Sequence, residues 1–317
     1  MVLDLLLLVV GVLVLLVGAY VLLRGATTLA LFFGISPVVI GATVVAFGTS
    51  APELVVTVAS GLRGVSDLGL GTVVGSNIAN VFLVLGLTAL ISPIAVHQRL
   101  IRWEVPVLLV ATLVTLVFAL GGGLNRVEGL AMLAILAAFL IISPRLFPEI
   151  LSETEAEVGT VRPVATPRLT LIAVGFVILG LAGLSGGSEM VVRSASDLAT
   201  SVGVGEFVIG VIIVAVGTSL PEVVTSALAA FRGEHDIAVG NIVGSNIFNL
   251  LGVAAAGAVV SGLPVGASLF RFELPVMVLS SLILLPLIWP RPHIGRVAGM
   301  ALILTYAAIV AITVVRG

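Results

Sequence analysis

The feature that most constrains this chain is an internal repeat. Shifting the sequence by 169 residues lays VIGATVVAFGTSAPELV (39–55) on VIGVIIVAVGTSLPEVV (208–224). The register continues without a gap as RGVSDLGLGTVVGSNIAN (63–80) meets RGEHDIAVGNIVGSNIFN (232–249), giving 21 identities in the 42 positions from Val39 to Asn80. RWEVPV (102–107) meets RFELPV (271–276) at the same offset. A repeat this long means two copies of one structural unit.

The solvent for those units is lipid. Hydrophobic residues make up 60% of the chain and charged residues 9%, against the roughly 25% charged of soluble domains. A helix crossing the hydrocarbon core needs about 20 apolar residues. Ten stretches fit: Leu3–Leu23, Pro37–Leu62, Leu68–Ser92, Val105–Leu120, Val127–Ile142, Leu169–Leu184, Phe207–Phe231, Ile237–Ser261, Leu274–Trp289 and Val297–Val315. The first lacks a small-residue cleavage site and is read as a retained span. One hydrophilic stretch, Ser143–Arg168, holds four Glu, three Arg and four Pro. The expected organisation is a first five-helix repeat over 1–142, a cytoplasmic linker over 143–168 and a second repeat over 169–317. With five spans per copy, the second enters the membrane from the opposite side, so the repeat is inverted.

Orientation follows from arginine, since the chain has no Lys. Alternate loops put nine Arg on one side (Arg24, Arg99, Arg102, Arg145, Arg162, Arg168, Arg232, Arg291, Arg296) and five on the other. The richer side belongs inside, which places both termini outside a cell-membrane protein. The same scattered arginines form no patch for nucleic acid. Without Cys there is no disulfide and no thiolate metal site. No protein partner is inferred, only the lipid bilayer.

Two motifs carry the chemistry. GTSAPE (48–53) and GTSLPE (217–222) interrupt apolar spans near their middle. Gly is a poor helix former, and Pro lacks the amide and clashes with the preceding turn. The expectation is a broken helix whose freed carbonyls, at Ala46, Thr49, Ala215 and Thr218, face protein or a polar cavity and suit a hard cation. Glu53 and Glu222 are the carboxylates near mid-span, where insertion costs at least ~2.5 kcal/mol. No Arg or His sits at that depth to pair with them, so a mobile cation is the expected partner.

The following spans supply GSNIAN (75–80) and GSNIFN (244–249). Ser76 and Asn80 share a helix face at a spacing of four, as do Ser245 and Asn249. Small and amide residues also glue packed helices, but their pairing with the broken spans favours a site. The expected fold is an all-α polytopic membrane protein of ten helices with spans 2, 3, 7 and 8 broken around a midplane site. An all-oxygen ligand set selects Na+, Ca2+ or Mg2+ over transition metals, and a flexible mixed cage suits Ca2+ better than Mg2+.

These motif pairs resemble the two alpha repeats of the calcium/cation antiporter superfamily, in its Na+/Ca2+ exchanger branch. The resemblance covers both repeats in order and essentially the whole chain. It implies that Glu53 and Glu222 bind Ca2+ with the Thr49 and Thr218 carbonyls. It also implies Na+ places made by Ala46, Thr49, Ser50, Glu53 and Ser76, and by Ala215, Thr218, Ser219, Glu222 and Ser245. Asn80 and Asn249 lie between, and spans 1 and 6 form the sliding pair. Many prokaryotic and K+-dependent relatives carry Asp at the position of Asn249, so the amide argues against K+ cotransport, and it cannot be neutralised by a proton. The H+-coupled branch usually has GN-x-x-E in place of GTS-x-PE, which ranks Ca2+/H+ exchange second. The transported ions are Ca2+ and Na+, with no cofactor.

A passive cation channel remains a different class, separated by its indifference to a counter-ion. An intramembrane enzyme is remote, because no Ser/Lys, Ser/His or paired-Asp set appears in the spans. Glu104 and Glu273, at span ends beside Arg102 and Arg271, are expected to pair or anchor at the headgroups. Asp67, Asp236 and the three histidines (His97, His235, His293) read as loop residues. The acidic run Glu149–Glu157 lacks the spacing of an EF-hand.

Overall fold

The structure is a computed structural model and describes residues 2–63, 66–144, 166–203, 213, 215–289 and 293–316. Most of the 143–168 stretch, including the acidic run, lies outside the described residues, as does the start of the expected seventh span.

Eleven helices carry the architecture: α1 Val2–Phe33, α2 Pro37–Thr49, α3 Ala51–Leu62, α4 Gly69–Ile91, α5 Leu100–Ala119, α6 Arg126–Ile142, α7 Pro167–Ser201, α8 Leu220–Phe231, α9 His235–Ser261, α10 Leu269–Ile288 and α11 Arg296–Arg316. Seven of them are long and apolar enough to cross a membrane, and the bent pair α2 and α3 makes an eighth. The most buried are α4 and α9, which carry the GSNI-x-N motifs. The outer helices turn Leu, Val and Ile outward, for example Leu13, Leu171, Leu279 and Leu304, as lipid permits.

Helices α1 and α7 overrun the expected ends. Helix α1 continues through Arg24, whose guanidinium lies 5.7 Å from the Phe176 ring, and stops at Gly34, where φ is 64°. Helix α7 continues past Leu184 through a polar stretch with an exposed Glu189–Arg193 pair. The apolar run ended there, but the helix did not. These two helices pack along each other over small residues. A Cβ built on Gly180 would sit 2.5 Å from the Leu22 amide nitrogen, and one on Gly18 would sit 2.8 Å from that of Leu184. Only glycine lets the backbones approach so closely.

The expected break between α2 and α3 is present: the axes bend by 43° at Ser50, whose φ and ψ are −83° and 5°. Ser219, its repeat mate, has −87° and 2°. The same sequence, with Pro two residues on, imposes the same local turn. Helices α4 and α9 correct the expectation for spans 3 and 8. They run unbroken, and the strain of Gly and Asn is absorbed instead in π-helical turns at Asn80–Val84 and Asn249–Ala254. Both begin on equivalent asparagines. Such bulges widen one turn and occur often at functional sites.

Loops from the two halves are tied by two short antiparallel ladders. Strand β1 (Ile94–Ala95) pairs with β4 (His293–Ile294), and β2 (Gly123–Leu124) with β3 (Leu263–Pro264). Inside the bundle the Thr112 and Ser281 hydroxyl oxygens lie 3.0 Å apart, and these residues are separated by the repeat offset of 169.

Candidate functional site

The elements converge on a buried polar centre. The start of α3 carries Glu53 and the start of α8 carries Glu222, each one turn after its bend. Both side chains are 1% exposed, and they act on each other electrostatically. Ser76 on α4 donates to Glu53 Oε1 at 3.2 Å. Ser50 donates to Glu222 Oε1 at 3.4 Å, joining the two copies. The Thr49 and Ser245 hydroxyl oxygens lie 3.3 Å from each other. Ser219 is fully buried, and its hydroxyl has no hydrogen-bond partner among the described residues. Thr218 is half-buried in the short turn Ala215–Thr218.

The amides complete the centre. Asn80 donates to Asn246 Oδ1 at 3.0 Å. Asn249 is fully buried, and neither atom of its amide has a partner among the described residues. Ten of the thirteen buried side-chain atoms without a partner among the described residues belong to α3, α4, α8, α9 and their bends. They include Oε2 of both Glu53 and Glu222 and Oδ1 of Asn77, Asn80 and Asn249. Since buried polar groups are ordinarily satisfied, a concentration of bare oxygens around two carboxylates fits a cation. Among the described residues no group of three or more His, Cys, Asp or Glu gathers to hold a resident metal.

One carbonyl differs from the expectation that the bend would free it. The Ala46 carbonyl is not freed by the bend: it accepts from the Ser50 amide at 3.1 Å and from the Thr49 hydroxyl at 3.3 Å. A proline removes the amide that would serve the carbonyl four residues back, which for Pro52 and Pro221 means Gly48 and Gly217. The Gly217 carbonyl accepts the Ser188 hydroxyl of α7 at 2.6 Å.

Sequence reasoning missed part of the polar lining. Asn241 accepts from Thr49 at 3.2 Å and donates to Ser226 at 2.9 Å. Asn77 and Asn246 sit inside the GSNI-x-N motifs, so a reading of every polar residue there would have found them. Glu104 is ion-paired, as expected of it. It is fully buried and pairs at 3.1 Å with Arg99, not Arg102.

The chain matches the family model described as sodium/calcium exchanger protein over residues 3–144 and 172–315. It belongs to the sodium/calcium exchanger family. Similar proteins include the putative antiporter CaxA of Alkalimonas amylolytica, 37% identical over 89% of each chain. The sodium/calcium exchanger MaX1 of Methanosarcina acetivorans is 30% identical over 96% of this chain and 97% of its own. Among solved structures, the sodium-calcium exchanger NCX_Mj soaked with zero Na+ and Ca2+ superposes with a TM-score of 0.83 at 30% identity, covering 99% of both chains. Membership makes this a multi-pass membrane transporter, and the family resemblance read from the two motif pairs is thereby established.

Proposed function

We propose that this exchanger-family protein is a secondary active antiporter that exchanges Na+ for Ca2+ by alternating access, without K+. The observation that carries this reading is the pair Glu53 and Glu222, buried together, each with one oxygen lacking a partner among the described residues. Two carboxylates balance one Ca2+, and the same oxygens compete for Na+. In this proposal Ca2+ is held by Glu53, Glu222 and the Thr49 and Thr218 carbonyls. Na+ uses Ala46, Thr49, Ser50, Glu53 and Ser76 on one side and Ala215, Thr218, Ser219, Glu222 and Ser245 on the other. Asn80 and Asn249 stand between as neutral amides, one acid short of a K+ site. Coupling follows because Ca2+ and Na+ cannot hold the two acids at once.

The architecture we infer is ten spans in two inverted copies, 1–142 and 169–317, in the cell membrane with both termini outside. In its support, the β1–β4 and β2–β3 ladders exchange places, to within one residue, when 169 is added or subtracted. The Thr112–Ser281 contact is what two equivalent residues make on a two-fold axis. Counting α6 and α8 with the eight longer spans gives ten. The glycine seam packs α1 and α7 closely together, as a pair that moves as one against the other helices requires.

The test is 45Ca2+ uptake into proteoliposomes loaded with Na+, beside vesicles loaded with K+ and vesicles with an acid-inside pH gradient. Uptake confined to Na+-loaded vesicles is expected. Uptake driven by the proton gradient makes the protein a Ca2+/H+ exchanger, and uptake without any counter-ion makes it a channel.

A further inference from the structure

A cavity of about 170 Å³ lies between α2, α3, α6 and α9, lined by Phe47, Leu54, Leu136, Phe248, Gly252 and Ala256, with Ser50 at its inner wall. Ser50 is the residue whose hydroxyl reaches Glu222. Its lining is otherwise carbon. The outer rim is Phe47, 56% exposed on the apolar surface and tilted against Phe248 with ring centroids 5.6 Å apart. The cavity is therefore continuous with the lipid-facing surface on one side and touches the polar centre on the other.

The repeat explains why the space exists. Gly252 and Ala256 stand where the first copy has Leu83 and Leu87, and Leu136 stands where the second has Thr305. Where one half supplies two leucine side chains, the other leaves room bounded by hydrocarbon. Protein interiors are close-packed, and a dry apolar cavity of about 150 Å³ takes up small hydrocarbon ligands in preference to water. Beside a lipid-facing rim, the aliphatic material at hand is the bilayer itself.

We propose that this cavity is a lipid-chain site: the end of a saturated acyl chain enters past Phe47 and stops against Ser50. The chain supplies the methylenes that Gly252 and Ala256 lack. It also walls the carboxylate pair off from water on the α6 side, so that ions reach Glu222 only from the aqueous faces. Aliphatic chains are the ligand class. A polar headgroup has no partner here, since Ser50 already donates to Glu222.

The experiment reconstitutes the full chain in vesicles of phosphatidylcholine with a diazirine at the terminal carbon of a palmitoyl chain. After irradiation, adducts are mapped by mass spectrometry. Adducts on Phe47, Leu136 or Phe248 are expected, together with reference adducts on the exposed Leu279 and Leu13 of the outer surface. Ala256→Leu, which restores the residue of the other copy, is expected to lower cavity labelling several-fold relative to that reference. Gly252→Ala adds one methyl, 3.1 Å from Leu136 Cδ2, and is expected to give an intermediate loss even if the leucine variant fails to fold. Absence of cavity adducts in the wild type, or cavity labelling that neither variant changes, overturns the proposal. The readout is binding, so it stands or falls independently of which ions are exchanged.

Discussion

Ser50 and Glu222 belong to different copies of the repeat, yet the Ser50 hydroxyl donates to Glu222 Oε1 across 3.4 Å, while the equivalent Ser219 hydroxyl has no partner among the described residues. The two halves are alike in sequence but not in hydrogen bonding. Ser50→Ala deprives a buried carboxylate of a donor and is expected to cost about 1 kcal/mol. Ser219→Ala removes a buried hydroxyl that bonds to none of the described residues and is expected to leave stability unchanged or raise it. Thermal unfolding of the ion-free protein in detergent measures both, and equal losses would contradict the asymmetry.

Two buried acids side by side destabilise the protein that holds them until a cation arrives. Glu53→Gln and Glu222→Gln are each expected to raise the unfolding temperature of the ion-free protein. Each is also expected to weaken Ca2+ binding at least tenfold, about 1.4 kcal/mol. Ca2+ at a hundred times its dissociation constant stabilises a protein by about 2.7 kcal/mol, so the wild type should show a Ca2+-dependent shift and the glutamine variants little or none. A variant that lost stability and kept the Ca2+ shift would remove that glutamate from the site.

The asparagines divide in the same way. Asn80→Ala strands Asn246 Oδ1, which accepts its amide at 3.0 Å, and is expected to cost about 1–3 kcal/mol. Asn249→Ala removes an amide whose two polar atoms have no partner among the described residues. Its expected effect is on cation affinity, with little on ion-free stability. Isothermal titration with Ca2+ beside thermal unfolding separates the two behaviours.

Much of this was legible in the chain because it is written twice. The bend at Ser50 follows from Gly48 and Pro52, local chemistry that needs no tertiary information, and the same pattern produced the same dihedrals at Ser219. The convergence of Glu53, Glu222, Ser76 and Asn80 followed from placing a repeat in lipid. What hydropathy could not give was the length of α1 and α7, because Arg24 and Glu189 end an apolar run without ending a helix. Nor could it separate a broken helix from a π turn at Asn80 and Asn249, which differ by how the turn packs. The Ser188 hydroxyl on the Gly217 carbonyl and the Asn241 bridge are long-range contacts, and no local pattern announces them.

The glycines of α7 test the close packing against α1. A Cβ at Gly180 would meet the Leu22 backbone at 2.5 Å, whereas one at Gly186 has nothing within 4 Å. Gly180→Ala is expected to destabilise by about 1–3 kcal/mol through overpacking. Gly186→Ala is expected to be neutral or to stabilise by up to about 1 kcal/mol through helix propensity. The difference between their unfolding midpoints isolates the contact from the propensity.

At the start of α5, Arg99 and Glu104 form an ion pair of 3.1 Å with side chains 1% and 0% exposed. Arg99 also donates to the Ser36 hydroxyl at 3.4 Å and to the Ser143 hydroxyl and carbonyl. It thus binds the N-cap of α2 to the end of α6, where the stretch leading to the second half begins. Removing one charge of a buried pair leaves the other uncompensated, so Arg99→Met is expected to cost about 3–5 kcal/mol. Replacing both charges with apolar residues is often neutral, so Arg99→Met with Glu104→Met is expected to recover most of the loss. Recovery is bounded by the two serines, which lose their shared donor in either variant. If the double variant is no more stable than the single one, the serine contacts hold this end of the bundle and the ion pair does not. Unfolding midpoints of the two variants and the wild type, in one detergent, decide between them.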